Sequence, residues 1–480
     1  MIASDLVNKS VFKNEAKEVP PSEMMAASGD WLLIAALAAF KLALHFFTNT
    51  NYELHRDAFL YLAFADHLDW GYLSVPPSIA VFAKLTFFLF GDSVFAVRLF
   101  PALIGVASII VIGMLVREFG GRKWALLFAG LAFILSPAFL RTNTLFQPVA
   151  FNQFYWLLSA YFIARMIKTQ APKYWIHLSV VWGLAFLNKY SIAFLILGFL
   201  ISLLLTKDRK LLFSRYFGDG VIIGFAIVLF NLVWQNSHNW PAIWHLQELQ
   251  RTQLVHVNFL DFFAMQLLMN LHAILLWLAG LAFLLFTKKG KQFRVLGFTF
   301  LTVMLILILL RGKPYYTLGM YSMLFAAGGV YFEKYFIARL RVLKPVLLGM
   351  MIISAIPIAP YSLPLLPLDK MADYGEFSKN FGLAGALRWE DGRMHRLPQD
   401  YADMTGWKEL GDIVINAYHS LDDAEKANCA IYAENYGQAG AIKYYGKKHG
   451  LPEPISLAIA FCSGRRTALI FPRSFTSMTN

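Results

Sequence analysis

The side chains in this sequence that could do chemistry are few, and they fall in a handful of connecting stretches. The first is NTNYELHRDAFLYLAFADHLDWGYLSVPP (49–77), which carries Glu53, Arg56, Asp57, Asp66 and Asp69 among aromatic residues. A carboxylate held near an acceptor hydroxyl can take its proton as a general base. Asp66 and Asp69 are three apart and are expected to share one face of a short helix. A solvated interfacial loop with an aromatic belt would carry the same residue types. The second feature is Lys189 in LNKYS (187–191), a cation that either snorkels to the membrane surface or holds a lipid phosphate. The third is RGKPYYTLGMY (311–321), where Arg311 and Lys313 precede Tyr315 and Tyr316. Two cations and two tyrosines there suit a phosphate at headgroup depth, and Lys84 and Arg141 add to the same positive patch. Ordinary interfacial anchoring is the competing reading. A last stretch, WQNSHNWPAIWHLQELQRTQLVHVN, holds His238, His245 and His256 with three tryptophans. Its histidines lack metal-ligand spacing, and an amphipathic surface helix accounts for most of it.

What must position these residues is a membrane. The chain has 480 residues, 58% hydrophobic and only 15% charged, with a mean hydropathy of +0.52. Soluble chains are about a quarter charged, so this composition excludes a set of soluble domains, a disordered chain and a disulfide scaffold. The net charge of +13 is therefore read through topology rather than as a nucleic-acid footprint. Residues 1–30 lack the apolar core of a cleavable signal peptide and are expected to be a cytoplasmic tail.

Segments long enough to span lie at 31–49, 93–116, 124–140, 149–167, 216–234, 261–286, 295–311, 315–332 and 345–361. The apolar stretch 174–206 would be about 50 Å long as one helix, too long for one crossing, and is expected to turn at Asn188-Lys189. The expected total is eleven. The stretch 76–90 is short, carries Lys84 and suits an interfacial helix. Leaving it out places roughly 20 basic residues on one side against roughly seven on the other, with the N-terminus cytoplasmic and the C-terminus outside. Residues 31–361 thus form a polytopic α-helical membrane domain. Residues 362–480 are polar and alternate a helical pattern with β-rich runs at 429–433, 455–461 and 467–472, which predicts a small α/β domain on the outer face. Cys429 and Cys462 both fall there, as a disulfide or as two thiols.

Cations and carboxylates gathered at one face suit a lipid-linked phosphate donor, with cations holding the phosphate and a carboxylate activating an acceptor. The sequence also resembles a family. HRDAFLYLAFADHLDWGYLSVPPSIA, RLFPALIG (98–105), LNKYS, WQNSHNWP, GKPYY (312–316), MTGW (404–407) and YAENYGQAGAIKYYG (432–446) are similar, in this order, to membrane glycosyltransferases of the dolichyl-phosphate-mannose protein mannosyltransferase type. The bacterial branch includes lipid A aminoarabinose transferases and lipopolysaccharide galacturonosyltransferases.

The resemblance implies a GT-C fold with interfacial helices in the first outer loop, in a bacterial inner membrane. It implies a polyprenyl-phosphate sugar donor, inverting transfer to a glycolipid, lipopolysaccharide or protein acceptor, and no nucleic-acid partner. It places Asp57, rather than Asp66 or Asp69, at the catalytic centre; Lys189, Arg311, Lys313 and Tyr316 are expected at the donor phosphate, and Glu53, Arg56, Asp66, Lys84 and His238 as supporting residues.

Two departures stand out. Relatives often have an acidic residue where this chain has Ala58, and a carboxylate in the region where it has Gln147 and Asn152. These leave divalent-metal dependence open and keep a non-catalytic, lipid-binding relative in view. A transporter or lipid flippase would also be polytopic, but no inverted repeat is visible and the ionisable residues gather at one face.

Overall fold

The computed structural model describes residues 21–336 and 342–456. Every segment expected to span is helical, since apolar stretches in lipid must satisfy their backbone polar groups internally. Five helices are each long and apolar enough to cross a bilayer: Ser28–Thr48, Val94–Glu118, Arg215–Ser237, Gly290–Leu309 and Leu343–Ser362. The pair Phe259–Leu268 and Leu271–Phe286, bent by 68°, supplies a sixth if it counts as one span. The other expected spans are shorter or more polar. Lys123–Leu135, Tyr174–Phe186 and Ile192–Leu204 have 13 residues each, about 20 Å of helix against a hydrocarbon core of about 30 Å. The protein is thus a multi-pass membrane protein, and among the described residues at least five helices qualify as spans by length and composition, or six with the bent pair. Residue 124–140 is not one helix, because the chain breaks at Ser136 before Pro137–Thr142.

The most enclosed element is Leu318–Tyr331, whose residues from Leu318 to Val330 are all buried. It crosses Ile274–Phe286 at glycines: a Cβ on Gly280 would meet the Leu324 carbonyl at 2.0 Å, and one on Gly328 the Leu276 carbonyl at 1.9 Å. Without a hydrophobic drive between helices in lipid, such close backbone approach supplies the packing energy.

The stretch 174–206 breaks where expected, between Tyr174–Phe186 and Ile192–Leu204. Asn188 in the break is fully buried and donates through Nδ2 to the Pro148 carbonyl at 3.0 Å, while the Leu187 carbonyl accepts the Ser78 amide. The segment 76–90 is a 12-residue helix, Ser78–Leu89, too short to span.

The shared helical face expected for Asp66 and Asp69 is absent. The helix Arg56–Phe64 ends before both. Tyr72 stacks on Phe64 with ring centres 4.1 Å apart and its hydroxyl donates to the His67 carbonyl at 2.9 Å, which turns the chain back. Asp69 then lies in irregular backbone.

Beyond residue 362 the expected elements form in part. Strand Tyr432–Ala433 pairs in parallel with Ile455–Ser456, and helix Tyr436–Gly446 connects them as a βαβ crossover. The helical pattern expected before them is Trp407–His419. The run at 467–472, most of 455–461, and Cys462 lie outside the described residues, so its pairing with the half-buried Cys429 does too.

Candidate active site

Asp57 sits in the first turn of Arg56–Phe64, where a carboxylate is favoured by the helix dipole. A buried arginine ties three carbonyls of the loop leading to it. Arg98, 1% exposed near the start of Val94–Glu118, donates to the carbonyls of Asn49 (3.0 Å), Asn51 (2.7 Å) and Glu53 (2.5 Å). His55 caps the helix, its Nδ1 accepting the Asp57 amide at 3.1 Å.

Both oxygens of Asp57 have donors. The Tyr436 hydroxyl donates to Oδ1 at 2.8 Å and Gln147 Nε2 donates to Oδ2 at 3.0 Å. Gln147 stands at the start of helix Pro148–Thr169, and Tyr436 opens Tyr436–Gly446 in the C-terminal segment. Arg56 joins these parts: its Nε lies 3.8 Å from Asp57, its Nη1 lies 3.5 Å from Asp403, and its guanidinium covers the Tyr436 ring at 5.6 Å. Burial pushes the Tyr436 hydroxyl pKa up, and Asp57 beside it adds to the effect. Tyr436 is therefore a protonated donor at neutral pH, and Asp57 at 26% side-chain exposure remains open to an incoming group.

Behind Asp57, the buried His55 faces Asp400 and Asp403 through Nε2 at 3.6 and 3.7 Å. Since Nδ1 is an acceptor, the neutral ring carries its proton on Nε2, toward those carboxylates. Burial lowers the His55 pKa against the opposing pull of Asp57 and Asp403, and burial raises that of Asp403. Arg141 forms an ion pair with Asp400.

Lys189 lies within electrostatic reach of this carboxylate. Lys189, in the break between its two helices, stands 5.4 Å from the ring centres of both Tyr315 and Tyr316. Burial pushes its ammonium down to about 8; Lys313 adds to the fall and Asp57 opposes it. Lys313 reaches Glu390 at 3.5 Å. Buried Gln266 fixes the turn that carries these tyrosines, donating to the Pro314 carbonyl and accepting from the Thr317 and Tyr321 hydroxyls. His245, on helix Pro241–Thr252, also lies close enough to feel Lys313.

Of the residues expected at the site, Asp57, Arg56, Lys189, Lys313 and Tyr316 are brought together. The others stand apart. Glu53 caps Trp407–His419, accepting the Trp407 and Lys408 amides at 2.7 and 3.0 Å. Asp66 is held by Lys443 and Lys447. Arg311 is exposed at a left-handed backbone position (φ 51°), and Lys84 is exposed on Ser78–Leu89. His238 stacks on Trp234 of its own helix. Among the described residues no group of three His, Cys, Asp or Glu converges as a metal site. The residues that sequence reasoning missed are Tyr436, His55, Asp400, Asp403 and Glu390, and Gln147, singled out only as a departure, proves to hold Asp57. The tail strings MTGW and YAENYGQ signalled two of their locations without giving a role.

Residues 74–234 match the family described as dolichyl-phosphate-mannose-protein mannosyltransferase. ArnT from Cupriavidus metallidurans, in a crystal structure bound to undecaprenyl phosphate, superposes with a TM-score of 0.61 at 17% identity, covering 90% of this chain and 86% of that one. The fold is that of the GT-C glycosyltransferases. The apo oligosaccharyltransferase of Archaeoglobus fulgidus shares it at a TM-score of 0.50 and 12% identity, covering 88% of this chain and 64% of that one. In sequence, the lipid A galacturonosyltransferase RgtD of Rhizobium johnstonii is 26% identical over 251 residues, 50% of this chain. The match spans about half the length of that curated relative, 51%. The GT-C resemblance read from the sequence strings is borne out.

Proposed function

We propose that the protein is an inverting glycosyltransferase that moves a sugar from a polyprenyl-phosphate donor to a hydroxyl of a lipid, lipopolysaccharide or protein acceptor. The observation that carries this reading is a carboxylate with two fixed donors, Asp57, within electrostatic reach of Lys189, which in turn feels Lys313. In a single displacement, Asp57 takes the acceptor hydroxyl proton as its oxygen bonds to the sugar C1. The bond from C1 to the phosphate oxygen breaks on the opposite face, and the phosphate leaves on the polyprenyl chain with the added charge. Lys189 and Lys313 face that charge, and Tyr315 and Tyr316 wall the lysine.

In this reading the site opens on the outer face of a bacterial inner membrane, beneath an outer domain of residues 362–480. The chain crosses eleven times from a cytoplasmic N-terminus, with the short helices completing spans inside the bundle. The lysine and arginine bias of the loops on the far side supports that orientation. The lipid acceptor class is supported by RgtD, and the donor by the lipid in the ArnT structure.

The test is transfer by purified protein in lipid vesicles, given undecaprenyl-phosphate sugars and lipid A. Release of free undecaprenyl phosphate in step with acceptor glycosylation is expected. Donor binding with no transfer to any lipid, lipopolysaccharide or protein acceptor would refute the enzymatic reading.

A further inference from the structure

A second cluster of charge lies at the far end of the molecule from Asp57. Helix Val94–Glu118 has 25 residues, so its last residue, Glu118, is about 35 Å along the helix from Ser93. Around Glu118 is a cavity of about 330 Å³ lined by Glu118, Phe119, Gly120, Lys168, Lys288, Lys289, Gln292 and Lys334.

Four lysines face one carboxylate, and that carboxylate is already matched. Arg165 Nη1 donates to Glu118 at 2.7 Å and Lys168 Nζ reaches it at 3.0 Å. The neighbouring Glu333 is used elsewhere: its carboxylate accepts the backbone amides of Arg122, Trp124 and Ala125 and caps Lys123–Leu135. Among the described residues, Lys288, Lys289 and Lys334 have no carboxylate within ion-pair distance. Lys334 rides a π-turn, Phe332–Phe336, and its ammonium approaches Gly120, where a Cβ would meet it at 2.9 Å. Burial lowers the Lys334 pKa, with Lys289 and Lys168 adding to the fall and Glu333 opposing it. Like charges lining one cavity are mutually unfavourable unless an anion joins them.

We propose that this cavity binds a phosphate group, held by Lys168, Lys288, Lys289 and Lys334. The phosphate comes either from a membrane phospholipid head group or from a soluble phosphate compound. Basic pockets between membrane helices suit such head groups. The site is separate from Asp57 and does not depend on the glycosyltransferase reading.

The test uses the full-length protein in detergent. Native mass spectrometry is run with cardiolipin and with phosphatidylcholine, and melting is followed with inorganic phosphate. The comparison is the double variant Lys288→Gln/Lys289→Gln, whose positions are exposed and outside the Asp57 site. Cardiolipin retention that falls about tenfold in the variant, and resists millimolar phosphate, assigns the site to a lipid head group. A phosphate-induced rise in melting temperature that the variant loses assigns it to a soluble phosphate. Equal cardiolipin retention and equal phosphate response in both proteins would overturn the proposal, as would no response in either. Lys334→Gln serves as a second variant if the first does not accumulate.

Discussion

Asp57 has each oxygen engaged by a neutral donor, Tyr436 on one and the Gln147 amide on the other. Two donors hold the carboxylate in place and leave its remaining lone pairs for an acceptor proton. The amide of Gln147 is what permits this contact. Placing Glu there would set two carboxylates about 3 Å apart, so one pKa must rise. Gln147→Glu is expected to cut kcat at least tenfold and move the acidic limb of the rate–pH profile upward; an unchanged profile would remove Gln147 from the site. Lys189 offers a second test. With its ammonium pushed down to about 8, it is charged below that pH and loses charge above it. Donor affinity should therefore weaken as pH rises from 7 to 9, read as a rising KM for the donor, and Lys189→Arg should flatten that rise. At this scale Asp57, Lys189 and Lys313 were legible, because lone charges stand out in apolar surroundings. Tyr436 was not, since it lies 379 residues from Asp57 and a tyrosine in a polar segment carries no signal of its own.

At the scale of elements, the site depends on helix Tyr436–Gly446 seating on Arg56–Phe64. Two glycines allow it, in different ways. A Cβ on Gly437 would meet the flexible Arg56 side chain at 2.5 Å, whereas one on Gly440 would meet the Phe59 backbone at 2.8 Å. Arg56 can turn aside from Cγ outward, at the cost of its contacts to Asp403 and Tyr436; a helix backbone cannot. Gly440→Ala is expected to destabilise by about 2 kcal/mol, the range for overpacking, and to lower transfer with it. Gly437→Ala should cost clearly less in melting temperature. A larger loss at position 437 would contradict this packing. Arg98→Ala should cost about 3 kcal/mol by stranding three loop carbonyls, and should impair transfer because that loop carries Asp57. Helices were legible here because long apolar runs have few other solutions. Their ends were not: the stop at Phe64 is set by Tyr72 folding back, a tertiary contact that the spacing of Asp66 and Asp69 does not encode.

At the scale of the whole molecule, two clusters of charge have different work. One lies at the Asp57 face, where carboxylates and cations alternate within a few ångströms. The other lies around Glu118 and Lys334, where lysines dominate. The polytopic class was legible from composition alone, while the number of crossings was not, because several helices are too short to be counted by length. Orientation is measurable directly. With Cys429 and Cys462 replaced by Ser, a Lys291→Cys protein in intact cells should resist an impermeant thiol reagent, and an Ala424→Cys protein should react. The reverse pattern would invert the topology.

The central claim is that Asp57 is the base of a glycosyl transfer. Its most direct measurement is the transfer rate of Asp57→Asn in vesicles supplied with polyprenyl-phosphate sugar and acceptor, alongside donor binding by the same protein. Asparagine keeps the shape and can still accept from Tyr436, but it cannot take a proton. The account predicts that donor binding stays within a few-fold of the unaltered protein while transfer falls by at least 100-fold, in the range expected for loss of a general base. Transfer at an undiminished rate would contradict it.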